Sequence, residues 1–308
     1  MRVWKRSLIV ASIAALSLAI PVLGHVPRRS VVSGQIVIAK WAQPLSIAWR
    51  MNPMRGLNVS GTAGVEASYR QAFQAWSGVS TATIAFAEGP TAVAAKPGLD
   101  QINLITADLT TSEWAAYGVD AISFTNVTTS ATTGQILEAD ILFNPNTLFS
   151  TDDATPANRA DLQAVATHEV GHLLGLDHTP LASAIMFPLA AGQSFSRTLT
   201  ADDTIGVSTL YPTTAFTARG SIEGTVRSTS NVGVFGAIVV VVGQNGQPMA
   251  ATITDPNGNY SIAGLPAGFY TLLAEPMDGP FGASSLLAPL STLYPSNTVN
   301  TNFTSRFR

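Results

Sequence analysis

Three of the four histidines in this chain lie within eleven residues, from His168 to His178. On a helix, His168 and His172 project from the same face, and two imidazoles placed in this way can bind one metal ion. Glu169 lies beside them, where its carboxylate can take a proton from a water molecule at the metal. Gly175 allows the helix to end in a left-handed turn, which would return His178 as a third ligand. Three ligands leave one tetrahedral position open for water, as in catalytic zinc sites.

The alternative interpretation is a set of core histidines paired with backbone groups. Only His25 lies outside the cluster, so the histidines of this chain are concentrated at ligand spacing. A glutamate beside the first of two histidines four residues apart, followed by a glycine and a third histidine, is far more specific than an isolated histidine. We therefore predict a catalytic zinc site that activates water for hydrolysis.

Composition excludes several other classes of function. Charged residues make up 11% of the 308 residues and the net charge is −3, so the chain lacks the basic surface of a nucleic-acid-binding protein. The absence of cysteine excludes disulfides, thiolate zinc ligands and a cysteine nucleophile. We expect a monomer with no nucleic-acid partner.

The N-terminus has the pattern of a signal peptide over residues 1–24. Arg2, Lys5 and Arg6 precede an apolar run from Leu8 to Ile20, which is followed by a proline and small residues up to Gly24. An apolar run of 13 residues is short for a membrane-spanning helix. We expect a secreted, extracellular protein, with an uncleaved membrane anchor as the less favoured alternative.

Up to Tyr211, helical and strand patterns alternate along the chain. Val65, Tyr69, Phe73 and Trp76 form an apolar stripe at helical spacing, which indicates a core-facing helix. A final helix that runs to Leu210 is predicted to begin at a capping box formed by Thr200 and Asp203. The other predicted elements are strands at Ser46–Arg50, Thr83–Ala87, Gln101–Thr106, Ala121–Thr128 and Ile136–Phe143, and helices at Gly64–Trp76 and Ala160–Leu176.

After Tyr211 the pattern becomes that of short strands joined by turns, which is typical of a small β-sandwich. The predicted strands are Ser221–Arg227, Ala237–Val242, Met249–Thr254, Tyr260–Ile262 and Phe269–Ala274. The segment 279–308 is rich in Ser, Thr and Asn and stays unassigned, apart from a strand expected near Val299–Phe303. The predicted domains are therefore 31–212 and 219–278.

Several of these stretches resemble known families. His168–His178 resembles the metzincin form of the zinc motif, and Ala184–Pro188 looks like the Met-turn of the matrixins. Leu199–Tyr211 resembles the matrixin C-terminal helix, and the resemblance extends over about residues 35–212 through Ala72–Trp76 and Gly134–Asn144. Residues 219–275 are similar to carboxypeptidase-regulatory-like, transthyretin-type domains. The implied fold class is an α+β metzincin-type catalytic domain, a twisted mixed sheet with an active-site helix, followed by a small all-β sandwich.

The resemblance implies a zinc metalloendopeptidase that hydrolyses internal bonds of a protein or peptide substrate. It implies that Glu169 is the general base and acid, and that Met186 is an apolar floor beneath the metal. It places the substrate antiparallel to Gly118–Thr128, beside a pocket whose depth depends on the loop Leu189–Arg197. The implied zinc ligands are His168, His172 and His178, and the implied pocket wall is Phe187 and Pro188.

The sequence also departs from the family. Many animal matrixins are kept latent by a propeptide cysteine, and this chain has none. With only His25 outside the cluster, no set of histidines remains for the family's second, structural zinc. A secreted binding or adhesion protein that is catalytically idle is the alternative function, and the sandwich is either a spacer or a contact with matrix or carbohydrate. Calcium is an open alternative to solvated loop carboxylates at Asp140, Asp152, Asp153 and Asp161, although their spacing matches no calcium-loop signature.

Overall fold

A computed structural model describes residues 26–92, 96–188, 196–277, 286 and 290–308 of the chain. The predicted signal peptide 1–24 and most of the loop Leu189–Arg197 lie outside the described residues. Within the described ranges, the molecule has a mixed α/β domain followed by a strand-rich domain, which confirms the predicted fold class. No helix in these ranges has both the length and the apolar character needed to cross a bilayer.

The first domain is built on a five-stranded twisted sheet. Four of its strands run parallel to one another, and the fifth, an edge strand, is antiparallel to its neighbour. In spatial order the strands are β5 (Phe86–Glu88), β3 (Ile47–Asn52), β6 (Leu104–Thr106), β8 (Ile136–Phe143) and β7 (Ser123–Thr129).

Two helices, α1 (Val65–Ser77) and α3 (Leu162–Leu173), pack against each other, and α3 also contacts β7 and β8. The predicted apolar stripe of α1 is buried in the core that the two helices share with the sheet. Within that core, the indole Nε1 of Trp76 donates to the carbonyl of Thr167 at 2.8 Å, which anchors α1 beside the centre of α3. Shorter helices in the described part of the chain include α2 (Thr111–Ala115), α4 (Ala201–Leu210) and α5 (Thr214–Thr217).

Two predicted strands are shorter in the structure than the sequence pattern indicated. The N–H groups of Thr83 and Ala85 donate to Tyr211 and Pro44 instead of to the sheet, so β5 begins only at Phe86. The N–H groups of Gly98, Asp100 and Gln101 donate to the carboxylates of Asp140 and Glu138, so β6 begins only at Leu104. The structure adds small strands that the sequence did not indicate: the hairpin β1 (Arg29–Val32) and β2 (Gln35–Ile38), and a parallel set of β4 (Val59–Ser60), β9 (Phe149–Ser150) and β10 (Ala160–Asp161).

The second domain consists of two antiparallel sheets. The prediction of a strand near Val299–Phe303 is wrong. In this segment the N–H of Asn300 donates to the carbonyl of Phe235, and the side chain of Val299 packs against the core. One sheet pairs β11 (Gly220–Thr225) with β14 (Asn259–Leu265), and the other has the order β13 (Pro248–Ile253), β12 (Ile238–Gly243), β15 (Tyr270–Glu275) and β16 (Arg306–Phe307).

The two domains share buried surface. Helix α4 contacts both β13 and β14. Leu181 and Ala184 of the first domain belong to an apolar cluster with Phe235 and Ile238 of the second. Ile205 of α4 lies in another cluster with residues of the sandwich. The sandwich is therefore packed against the segment that follows the third histidine.

Candidate metal centre

Helix α3 carries the first two histidines and is fixed at both ends. At its start, Asp161 is the N-cap, and its Oδ1 accepts from the N–H of Ala164 at 2.9 Å. The helix therefore begins at Leu162, two residues later than predicted. At its end, Gly175 has φ +95°, and a Cβ at this position would collide with the carbonyl oxygen of Ala39. The requirement for glycine at the turn is therefore confirmed on both conformational and steric grounds.

Two aromatic side chains satisfy carbonyls at the end of α3. The hydroxyl of Tyr211 donates to Leu174 at 2.6 Å, and the indole of Trp41 donates to Leu173 at 2.8 Å. The last carbonyls of a helix have no partner within the helix, so bonds of this kind stabilise its end. They hold the turn that leads to the third histidine.

The three histidines converge on one point. The Nε2 atom of His172 lies 3.1 Å from Nε2 of His168 and 3.2 Å from Nε2 of His178. In the described part of the chain, this is the one group of three or more possible ligand side chains whose donor atoms lie close enough for a single ion, all within 4.8 Å. The convergence predicted from the spacing is present in the fold.

Second hydrogen bonds orient two of these rings. Nδ1 of His168 lies 2.6 Å from the carbonyl oxygen of Ile185, and Nδ1 of His172 lies 2.9 Å from that of Leu176. A carbonyl only accepts, so each Nδ1 carries the proton and donates it. Each Nε2 is then left with a free lone pair directed into the cluster.

The imidazoles in this cluster favour the neutral state. Desolvation and the neighbouring rings of His168 and His178 lower the pKa of His172 well below its usual range. Burial, with His168 nearby, lowers the pKa of His178 to about 3. Neutral rings with converging lone pairs repel one another unless a cation lies between them. Tetrahedral Zn–N bonds place nitrogens roughly 3.3 Å apart, so the donor set fits zinc.

The segment after the third histidine forms a tight turn beneath the cluster. The N–H of Thr179 donates to the carbonyl of Met186 at 3.0 Å. The carboxylate of Asp203 accepts from the N–H groups of Ile185 at 3.0 Å and Met186 at 3.1 Å. Met186 is fully buried, and a Cβ on Gly171 of α3 would collide with its sulfur. The side chain of Met186 therefore packs directly against the metal-site helix.

Asp203 also forms the predicted capping box with Thr200 at the start of α4, which is confirmed. One carboxylate therefore fixes both a helix terminus and the turn. The adjacent Asp202 has a different partner, because its Oδ1 accepts from the N–H of Ala251 in the sandwich at 2.8 Å.

Glu169 is a residue of α3 and is 2% exposed, and its side chain faces the edge strand β7. Its Oε1 accepts from the hydroxyl of Ser123 at 2.5 Å, and its Oε2 accepts from the hydroxyl of Thr125 at 2.6 Å. The sequence did not indicate these two hydroxyls as site residues. Their only signal is the spacing of two, which places both on one face of a strand.

The predicted pocket wall and the carboxylates considered for calcium form no further metal cluster in the described part of the chain. Phe187 is buried and Pro188 is partly buried, directly after the Met186 turn. The four carboxylates considered for calcium all have protein partners. Asp140 accepts from Gly98 and Leu104, Asp152 accepts from Thr62, and Asp153 and Asp161 pair with Arg197.

A mixed sheet with an antiparallel edge strand, a helix bearing two histidines and a buried glutamate, and a third histidine after a glycine turn define a metal-dependent hydrolase domain of the zinc-protease class. Residues 40–212 match the family model of the matrixins, and residues 221–277 match that of the carboxypeptidase regulatory-like domain. Because the first match covers more than half of the chain, the chain belongs to the matrixin family, which is zinc-dependent.

Curated relatives agree with this family. The chain is 51% identical to Metalloendoproteinase 1-MMP of Arabidopsis thaliana over 51 residues, which are 17% of this chain and 14% of the relative. It is 35% identical to Metalloendoproteinase 4-MMP of the same plant over 79 residues, 26% of this chain and 23% of the relative. Karilysin of Tannerella forsythia is 35% identical over 104 residues, 34% of this chain and 21% of the relative. The matches therefore span less than a quarter of each relative.

Proposed function

We propose that this protein is a secreted zinc-dependent endopeptidase that hydrolyses internal peptide bonds of extracellular proteins. The observation that carries the proposal is the convergence of three histidine Nε2 atoms, two of them on the helix that also carries the buried Glu169. Membership of the matrixin family supports the same chemistry.

In this proposal, His168, His172 and His178 hold the zinc ion through Nε2. When bound, zinc supplies Lewis-acid activation of water and polarisation of the scissile carbonyl. Glu169 accepts the proton of the attacking water at its carboxylate and donates it to the leaving amine. Ile185 and Leu176 keep the first two rings in the correct tautomer through their carbonyls. Met186 packs beneath the cluster and takes no part as a ligand.

We propose that the substrate binds as an extended strand along β7. This strand lies at the edge of the sheet, and an exposed edge can accept a peptide by backbone hydrogen bonds. Phe187 and Pro188 follow the turn beneath the metal site, and they would form one wall of the pocket for the residue after the scissile bond. The pattern in residues 1–24 supports export, and hence extracellular substrates.

The decisive experiment uses zinc-loaded full-length protein and denatured casein. We expect chelator-sensitive cleavage by the wild type. Glu169→Gln is expected to abolish turnover because it removes the proton acceptor, while one zinc per chain is retained. Full activity of Glu169→Ala would refute the assignment of the base. Cell fractionation of the tagged chain, with sequencing of the N-terminus of the exported product, tests secretion separately.

The second candidate function is binding through the sandwich, with or without catalysis. It is favoured by Phe269 and Phe307, aromatic side chains of the sandwich that are 81% and 72% exposed. Aromatic side chains with this exposure are available for contacts with a protein or a carbohydrate. If matrix proteins or polysaccharides retain the wild type but not Phe269→Ser, the binding function holds. Equal retention of the two proteins would argue against it.

A further inference from the structure

Ser123 and Thr125 are buried hydroxyls on the edge strand, 8% and 9% exposed. They are two residues apart in β7, so their side chains leave the same face of the sheet. The strand pairs with β8 through Ser123 opposite Phe143 and Thr125 opposite Ile141, which fixes the register of the two hydroxyls. Helix α3 packs on this strand.

Both hydroxyls are engaged by the same carboxylate. Ser123 Oγ donates to Oε1 of Glu169 at 2.5 Å and Thr125 Oγ1 donates to Oε2 at 2.6 Å. Thr125 Oγ1 also lies 3.0 Å from the backbone carbonyl of Glu169. A carboxylate that accepts one bond at each oxygen is fixed in both its position and its plane, since each oxygen has its own donor.

We propose that Ser123 and Thr125 are positioning residues for Glu169 that hold its carboxylate in the orientation needed for proton transfer. This inference rests on the proposed function, in which Glu169 is the base. Each carboxylate oxygen can accept two hydrogen bonds, so one donor at each oxygen leaves a lone pair available for a proton. The hydroxyls therefore restrain the group without blocking it.

The two hydroxyls also connect the base to the proposed substrate strand. Their side chains leave the face of β7 that is covered by α3. A peptide would add at the outer backbone edge of the same strand, which pairs with no strand in the described part of the chain. The position of a peptide on β7 and the position of the Glu169 carboxylate are thus set by one strand. A misplacement of about 1 Å between reacting groups can reduce a rate by roughly 100-fold.

The alternative is that the two hydroxyls only satisfy a buried carboxylate and contribute to stability alone. The chain offers a matched control for this role. Thr81 Oγ1 and Ser208 Oγ form another buried hydroxyl pair at 2.7 Å, with exposures of 6% and 0%, and neither bonds to Glu169. The double substitutions S123A/T125V and T81V/S208A remove the same groups from the two places.

The kinetic test compares the two double variants on one peptide substrate at full zinc loading. For S123A/T125V we expect kcat to fall by roughly 10- to 100-fold with KM changed less than about 2-fold. For T81V/S208A we expect wild-type kcat, whatever its melting temperature. T125S, which keeps the hydroxyl, is expected to recover most of kcat relative to T125V. Wild-type kcat in S123A/T125V would overturn the proposal.

A structural readout does not depend on activity. Crystal structures of the zinc-loaded wild type and S123A/T125V are expected to show one rotamer of Glu169 in the former, and a displaced or divided carboxylate in the latter. An unchanged rotamer in the double variant would overturn the proposal even in a protein that cleaves nothing. A wild type that binds zinc but shows no cleavage would refute the proposed function alone.

Discussion

The metal centre is partly buried and the interface with the sandwich is buried, and the polar groups of the two regions are satisfied in different ways. Around the histidines, the hydrogen-bond partners are often close in sequence. For example, the Nδ1 of His172 donates to the carbonyl of Leu176, four residues further along the chain. At the interface the contacts are mainly apolar, as between Ala184 and Phe235. One carboxylate, Asp202, reaches across it to the N–H of Ala251.

Adjacent aspartates on α4 show the difference most directly. Asp203 accepts hydrogen bonds from Ile185, Met186 and Thr200, and all of these lie on the metal-site side. Asp202 faces the sandwich, where burial, together with the charge of Asp203, raises its pKa to about 7. Polar groups in the first region therefore form a connected network, whereas the second contains a costly buried carboxyl group.

The largest expected effect comes from breaking the metal centre itself. His172→Ala removes the ring whose Nε2 lies nearest to both other ligand nitrogens. We expect zinc affinity to fall by more than about 100-fold, since even loss of a supporting hydrogen bond costs 10- to 100-fold. Zinc content after dialysis measures this effect. The matched control is His25→Ala, which should retain zinc, and retention by His172→Ala would contradict the ligand assignment.

The metal centre was more predictable than the interface for a physical reason. The spacing of His168 and His172, the glycine requirement at Gly175 and the capping box at Thr200 are local, and the structure confirms the geometry of each. The contact of Ser123 with Glu169 joins residues 46 positions apart, so it depends on the strand order of the sheet.

The interface gave no sequence signal because its residues resemble ordinary core residues. Leu181 and Ala184 follow the third histidine, and their contacts with Phe235 and Ile238 depend on how two domains dock. The late starts of β5 and β6 have a similar origin. Their N–H groups are taken by distant carbonyls and by the carboxylates of Glu138 and Asp140, which strand propensity cannot reveal.

The next largest effect is expected from removing the hydrogen bonds that Asp203 accepts at the turn after the third histidine. Asp203→Ala leaves the N–H groups of Ile185 and Met186 buried without an acceptor. We expect a loss of roughly 2–6 kcal/mol in the free energy of unfolding, at about 1–3 kcal/mol for each of the two unsatisfied groups. Because Ile185 also orients His168, zinc affinity should fall by about 10-fold. Urea unfolding and zinc titration measure the two effects, and an unchanged zinc affinity would separate the turn from the metal site.

At the interface with the sandwich, we expect a substitution to raise the free energy of unfolding instead of lowering it, and by a smaller amount. The pKa of Asp202 is raised from 3.8 to about 7, so the folded state retains a proton that the unfolded chain releases. Stability contributed at this site is therefore lost as pH rises from about 4 to about 7. Asp202→Asn keeps an acceptor for Ala251 and removes the charge. We expect the variant to match the wild type near pH 4 and to exceed it at pH 8 by at most about 4 kcal/mol, the equivalent of the full pKa shift. A difference that does not vary with pH would contradict this account.

The smallest effect is expected for Met186→Leu. Met186 is fully buried beside Gly171, in the core cluster that also contains Trp76, so its role is to fill space under α3. A substitution that conserves volume costs less than about 1.5 kcal/mol, and zinc affinity should not change because the sulfur is not a ligand. Met51→Leu is the matched control, since Met51 is equally buried in the same core. Thermal unfolding and zinc titration of both variants make the comparison. If only Met186→Leu lost zinc, the shape of the Met186 side chain would affect zinc binding. The metal centre would then depend less on its hydrogen-bond network than the contacts of Asp203 indicate.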